Sequence, residues 1–463
     1  MAQPRVIVVG TGPAGVRCAE ALVEAGLRPT VIDEGLRDGG QIYRRQPEGF
    51  KRPYAKLYGS EAKKAEDLHR SFEAIRPQVD YRAETLAWNV TANTLHVLHD
   101  GNQTATLPFD ALVVCSGATD RLMPVEGWNL AGCYSLGASQ IALKSQACAI
   151  GRRVVFMGTG PLLYLVASQY VQAGATVLAV LDTSPFSQRL RALPALAARP
   201  GLLLKGVALN RALRKAGVAI HSGVTPLRIT GAAALGVQGV TVRKRDGSEL
   251  HIDCDAVALG YHLRAESQLA DLARCEFQFD SGSRQWLPKI DSDGRSTTAG
   301  VYLAGDGARI LGADGAEAAG RLAALAVLSD LGRPASPDPM PALRRTLEKM
   351  DRFRRGLIQA FPWPHAQAAA LPDSAVVCRC ETITAGELRR VVKEMGGSEV
   401  NRAKAFSRVG MGRCQGRFCG HAAAEVVAHA ACIPIETVGR LRGQGPVKPL
   451  PMAALENAGG VNV

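Results

Sequence analysis

Apolar residues come first in short unbroken runs and then at helical spacing, and that order repeats along the chain. The run RVIVVG is of the kind a buried parallel strand requires. It passes through TGPAG into VRCAEALVEAG, where Ala14, Cys18, Ala21 and Leu22 share one helical face, and then into PTVIDE. The order returns from Arg153 as VVFMG, TGPLL, YLVASQYVQAG and TVLAVLD. Two strand–turn–helix–strand units in tandem predict an internal repeat of dinucleotide-binding type. A third apolar run, GVYLAGD, precedes a small-residue helix expected over 315–328.

The pattern changes after Leu331. GRPASPDPMP reads as a proline-rich linker, followed by a basic amphipathic helix over 342–361 and a second hinge, FPWPHAQAAALPDS. A cysteine-bearing domain follows, with helices predicted in AGELRRVVKEMG and GHAAAEVVAHA. The tail, with GPVKPLPM, is expected to be extended and to lie on another surface. The expected division is a discontinuous first domain at 1–120 and 255–335 and a second dinucleotide-binding domain at 121–254. A linker with a helix at 336–372, a cysteine domain at 373–435 and a tail at 436–463 complete it.

The 463 residues are too many for one ordinary core, and a make-up of 47% hydrophobic and 21% charged residues is that of a folded globular protein. The net charge of +13 is carried by arginines spread along the chain, and aromatics are only 5%, which together argue against nucleic-acid binding. Met1 leads almost at once into a strand, so no secretory signal is expected, and no run of about 20 apolar residues predicts a spanning helix. The expected place is the cytoplasm, with the inner face of the membrane as a peripheral site. Eleven cysteines in such a chain are expected as buried thiols or ligands rather than disulfides. Cys18, Cys115, Cys133, Cys148 and Cys432 read as core residues.

Gly10, Gly12 and Gly15 form G-x-G-x-x-G between a strand and a helix. The first permits the tight turn, the second admits a pyrophosphate, and the third lets the helix pack on the strand. Pro13 and Ala14 belong to the same candidate turn, and the helix start supplies amide donors. By spacing Asp33 is the ribose-binding acid, with Glu34 as the neighbouring candidate. Three further segments carry candidate cofactor residues: GGQIYR with Gly40 and Gln41, LVVCSGAT with Gly117, and VYLAGDGA with Gly305 and Asp306. Together these resemble the two-dinucleotide-domain flavoproteins of the thioredoxin and glutathione reductase family. The resemblance implies an α/β disulfide-reductase-like fold, FAD in the first unit, and Asp306 on its ribityl chain.

The second unit keeps Gly158 and Gly160 but has Leu163 at the third position, a residue expected to push the helix off the strand. Leu165 stands where the resembled family has a glutamate near the nicotinamide, and Asp182 remains a candidate ribose acid. Three outcomes stay open for this loop: NAD(H), another adenine nucleotide, or no ligand. No C-x4-C follows GGQ, and Cys133 has Leu136 three residues on, so no internal disulfide can take electrons from a flavin and disulfide reduction is disfavoured.

Cys378 and Cys380 form C-x-C, and Cys414 and Cys419 form C-x4-C. Four thiolates suit an iron–sulfur centre or a zinc ion. The spacing resembles the bacterioferritin-associated ferredoxin-like (BFD-like) [2Fe-2S] domain, which implies a small, mainly helical fold. Gly410, Gly412, Gly416 and Gly420 predict a loop whose amides point at sulfur. Arg379, Arg402, Lys404, Arg408, Arg413 and Arg417 flank these motifs, either balancing cluster charge, guiding an acidic partner, or forming a solvated basic face.

The order of all these motifs is similar to the FAD/[2Fe-2S] alpha subunits of heteromeric amino- and imino-acid dehydrogenases. That group includes the A subunit of opine oxidase, the B subunit of hydrogen cyanide synthase, and the alpha subunits of D-hydroxyproline and dye-linked proline dehydrogenases. The resemblance implies that an amino, imino or opine-type acid is oxidised on a partner beta subunit with its own FAD, and that this chain holds no catalytic residue. Electrons would then run through [2Fe-2S] and FAD to a quinone or dye. It extends to a small gamma subunit of ferredoxin-like type and to an FMN at the subunit interface, for which no motif is located here. The alternatives are a stand-alone NAD(P)H-dependent flavin oxidoreductase and a non-catalytic assembly scaffold.

Overall fold

The computed structural model describes residues 3–50, 52–333 and 339–456. Part of the proline-rich linker (334–338) and the last seven residues of the tail lie outside the described residues.

The first unit builds a five-stranded parallel sheet in the order Val301–Leu303, Ala111–Val114, Val6–Val9, Thr30–Ile32, Asp80–Arg82. Val6–Val9 is buried on both faces, as its unbroken apolar run requires. The helix Pro13–Glu24 begins directly after the glycine turn, with Pro13 in the first helical turn where its missing N–H is harmless. It packs against the helix Gly312–Asp330, which is longer at both ends than the 315–328 expected. A methyl group at Gly320 would meet the Ala14 carbonyl oxygen at 2.0 Å, so only a small residue permits this close crossing.

The second unit repeats the plan. Its parallel strands run Ala219–Ser222, Thr176–Asp182, Arg153–Thr159, Ala256–Tyr261, Cys133–Ser135. The strand Ala256–Tyr261 belongs to this sheet, so the chain re-enters the first domain after Tyr261 rather than at 255. The crossing is made by Ala118–Asp120 pairing antiparallel with Leu263–Ala265. Leu163 is fully buried among Leu136, Val154 and Phe156. The turn accommodates it by a different backbone route: Gly160 has φ +111°, where Gly12 has φ −74°.

The helix Met340–Ala360 lays Phe353 and Ala360 against Ala192 and Leu196 of the second unit. The cysteine domain pairs Val376–Cys378 with Ile383–Thr384 and is otherwise helical: Ala385–Met395, Val400–Ser407, Gly420–Ala431 and Ile435–Val438. Thr384 and Glu387 form a reciprocal capping box that fixes where the first of these helices starts. Cys18, Cys115 and Cys133 are buried, but Cys148 and Cys432 are exposed, against expectation. Both lie just past helix ends, Cys432 as a left-handed C-cap, where the helical face no longer points inward.

Candidate functional site

The first glycine turn is a backbone cradle. A methyl group at Gly10 would lie 2.4 Å from the Cys115 carbonyl oxygen, and one at Gly15 would lie 1.7 Å from the Gly10 carbonyl oxygen. Gly40 (φ +60°) faces Gly12 so closely that its Cβ would meet the Gly12 Cα at 2.8 Å. Side chains are thus excluded where a pyrophosphate must reach backbone amides. Asp33 accepts from the Thr11 amide and hydroxyl at 2.6 Å and from the Gly35 amide at 2.7 Å. Burial raises its pKa, and these bonds oppose the rise. Asp306 uses Oδ1 to accept from the Leu311 and Gly312 amides, which fixes the loop after the AGDG turn, and its pKa is likewise raised by burial.

Gly10, Gly12, Pro13, Ala14, Asp33 and Glu34 border one cavity of about 2710 Å³. Gly40, Gln41, Gly117, Gly305 and Asp306 border it too. Gly15 does not, being occupied in the helix–strand contact. The volume exceeds the 300–1,000 Å³ of an ordinary small-molecule site several-fold and so has room for an extended dinucleotide. Cradle, acids and volume fit FAD.

The second loop is built differently. Gly160 borders the cavity, but Gly158 and Asp182 do not. Asp182 is 0% exposed; it accepts from Tyr164 Oη at 2.7 Å, Arg189 Nη2 at 2.5 Å and the Ser184 amide at 2.8 Å. Its carboxylate is therefore held inside the second unit, away from any ribose in the cavity. Arg189 also lies over the Phe361 ring, 4.9 Å from its centroid, so the segment after the 340–360 helix covers this corner. His262 Nε2 meets the Phe361 carbonyl at 2.5 Å there.

The four cysteines come together from two loops. The Cys419 thiol lies against the sulfurs of Cys378 and Cys414, and Cys380 lies against Cys414. The amides of Gly410 and Glu381 reach Cys378, and those of Phe418 and Gly416 reach Cys414. The thiol bond from Cys419 above all, with those amides, lowers the Cys378 pKa to about 6 and the Cys414 pKa to about 5. Its two sulfur neighbours Cys378 and Cys414, together with burial, hold Cys419 well above the ordinary range. Thiolate is the form that binds metal. Four cysteine sulfurs ringed by amides are a donor set that fits an iron–sulfur unit.

Cys414 also borders the large cavity, together with Arg413, Arg417 and Phe418. Arg417 and Lys404 are buried, so the flanking cations are not all a solvated face. Arg417 pairs with Glu266 of the first domain, and Gln268 Nε2 donates to the Gln415 carbonyl at 2.9 Å. Glu266 in turn receives Ser116 Oγ on its carbonyl at 2.5 Å and gives its amide to the Gly117 carbonyl at 3.0 Å. Arg264, partly buried, lies within electrostatic reach of Cys414 and Cys419. Glu266, Arg264 and Lys144 carry no motif. Lys144 is buried on the cavity wall, donates to the Ile42 carbonyl at 3.1 Å, and has its pKa lowered by burial to about 8. Only their positions in space single them out.

Two family models match: the pyridine nucleotide-disulphide oxidoreductase family over residues 4–324, and the BFD-like [2Fe-2S] binding domain over 376–429. The chain is 36% identical to the A subunit of opine oxidase from Rhizobium meliloti, across 97% of this chain and 86% of that protein. It is 30% identical to the HcnB subunit of hydrogen cyanide synthase from Pseudomonas aeruginosa, across 98% and 99%. Its fold matches the L-proline dehydrogenase structure from P. horikoshii with a TM-score of 0.70 at 18% identity, across 98% of this chain and 79% of that one. The chain therefore belongs to the pyridine nucleotide-disulphide oxidoreductase family, in the group of FAD- and [2Fe-2S]-carrying oxidoreductase subunits that includes HcnB and its opine oxidase counterpart.

Proposed function

We propose that this chain is the electron-transfer subunit of a heteromeric dehydrogenase whose partner, a flavoprotein of amino-acid-oxidase type, oxidises the C–N bond of an amino, imino or opine-type acid. A quinone or dye is the acceptor, and the inner face of the membrane is where a quinone would be met; among the described residues no helix is long and apolar enough to cross a membrane. One observation carries this reading: Cys414 of the thiol set borders the same cavity as Gly12, Asp33 and Asp306. When bound, FAD exchanges one or two electrons and the cluster exchanges one. Cys378, Cys380, Cys414 and Cys419 would hold the cluster. The glycine cradle, Asp33 and Asp306 would hold FAD. Arg417, Gln268 and Glu266 keep the two sites in register. Gly158, Gly160 and Asp182 supply no comparable support for NAD(H), because Asp182, unlike Asp33, is fully buried and does not border the cavity.

The test is co-purification with the flavoprotein expressed beside it, followed by iron and flavin analysis and a bleaching screen across amino, imino and opine acids. Bleaching that needs the partner supports the reading. Full dye reduction by a Cys414→Ser enzyme that has lost its iron would overturn the relay.

A further inference from the structure

The C-terminal tail reaches back onto the first domain at the end of the cavity where Asp33 and Glu34 lie. Val447 is buried with Ile7, Val9 and Ile32 of the first sheet, not within the cysteine domain that precedes it. Its amide donates to the Trp88 carbonyl at 3.0 Å, and its carbonyl accepts from Arg417 Nη1 at 2.7 Å. The next residue, Lys448, forms an ion pair with Glu34. Val447, Lys448 and Pro449 border the same cavity as Asp33 and Glu34.

We propose that Val447 and Lys448 are part of the FAD site: a wall at its adenosine end, supplied by the tail, that has to lift before the cofactor enters or leaves. This rests on the reading that Asp33 marks the adenosine ribose. The acid following the second strand of such a unit faces the ribose, and the crevice there opens at the carboxyl ends of the strands. Left to itself, that end presents two adjacent carboxylates to a ligand that already carries a diphosphate. Lys448 offsets one of them, and Val447 replaces water with an apolar side chain. The ligand selected is a flavin carrying an adenosine half, as opposed to a flavin mononucleotide, which ends short of this wall. Because Arg417 holds both Val447 and Glu266, the wall is tied to the cysteine loop as well.

The experiment measures flavin release from the purified holoprotein by fluorescence, with thermal unfolding as a check on folding. Lys448→Ala should release FAD several-fold faster, and a chain ending at Gly445 on the order of tenfold faster. Lys448→Arg should behave as the parent protein. Flavin-stripped Lys448→Ala protein should lose affinity for FAD while its affinity for FMN stays unchanged. Unaltered release in both the point variant and the shortened chain would overturn the proposal. So would FAD and FMN affinities falling together with the unfolding midpoint, which marks a purely structural tail. If the shortened chain does not fold, Lys448→Ala and Glu34→Gln decide. A parent protein that retains no FAD would instead remove the reading beneath the proposal.

Discussion

Arg417 Nε lies 2.8 Å from Glu266 Oε2, and this pair fastens the cysteine loop to the wall of the flavin cavity. The two side chains are only 9% and 14% exposed. Arg417 sits three residues after Cys414, and Glu266 is bonded through its backbone to Ser116 and Gly117. The position of the cysteine loop against the cavity wall is thus set by a short chain of fixed contacts rather than by the linker.

Breaking that pair from one side leaves a buried charge. Arg417→Met should cost about 1–3 kcal/mol, because Glu266 loses its hydrogen-bonded partner and keeps only the charges of Arg264 and Lys448. Arg417→Met combined with Glu266→Met should recover only part of the loss, since Arg264 then lacks its Glu266 partner. Thermal unfolding of the two single variants and the double variant measures this; a double variant no more stable than Arg417→Met contradicts it.

Gly412 is a second point of close approach. A methyl group there would meet the Cys380 Cβ at 2.2 Å. Gly412→Ala should displace Cys380 and lower the iron content per flavin, with FAD retained. Iron assay and visible absorption read both quantities on one sample.

His262 makes stability depend on pH. Its Nε2 must carry the proton, because the Phe361 carbonyl only accepts, and burial lowers its pKa to about 4. The unfolded chain protonates it below about 6.5, whereas the folded chain stays neutral down to about 4. Between these values the unfolded state binds more protons, so stability falls as pH falls, by roughly 3 kcal/mol over the window. His262→Asn keeps a donor and removes the titration. Denaturant midpoints at pH 7 and pH 4.5 should therefore converge more closely in the variant than in the parent.

The second unit should not oxidise NADH productively. Asp182, buried and outside the cavity, is held by Tyr164 and Arg189, so its carboxylate does not face the space where a nucleotide ribose would need it. Adding NADH to the chain alone should leave the flavin absorbance unchanged. Arg189→Met should lower the unfolding midpoint, because it orphans the buried Asp182 carboxylate. Rapid flavin bleaching by NADH would restore the stand-alone reductase reading.

The repeated strand–turn–helix units, their glycine turns and the two cysteine pairs were legible because each rests on local rules: burial makes apolar runs, tight turns need glycine, and metal ligands cluster in short loops. The boundary after Tyr261 was not, since a buried strand such as Ala256–Tyr261 reads the same in either sheet. The fates of Cys148 and Cys432 escaped for a related reason: composition says what a thiol prefers, not whether its helix has already ended.

Sequence alone therefore determined the family, the two dinucleotide-type units and the cofactor classes. Tertiary structure decided which of those parts share a space. The Glu266–Arg417 pair joins residues 151 positions apart and the Glu34–Lys448 pair joins residues 414 positions apart, and neither carries a local signature. Charge pairing across such separations is set by how domains pack, and packing depends on the summed burial of many side chains rather than on the spacing of any few.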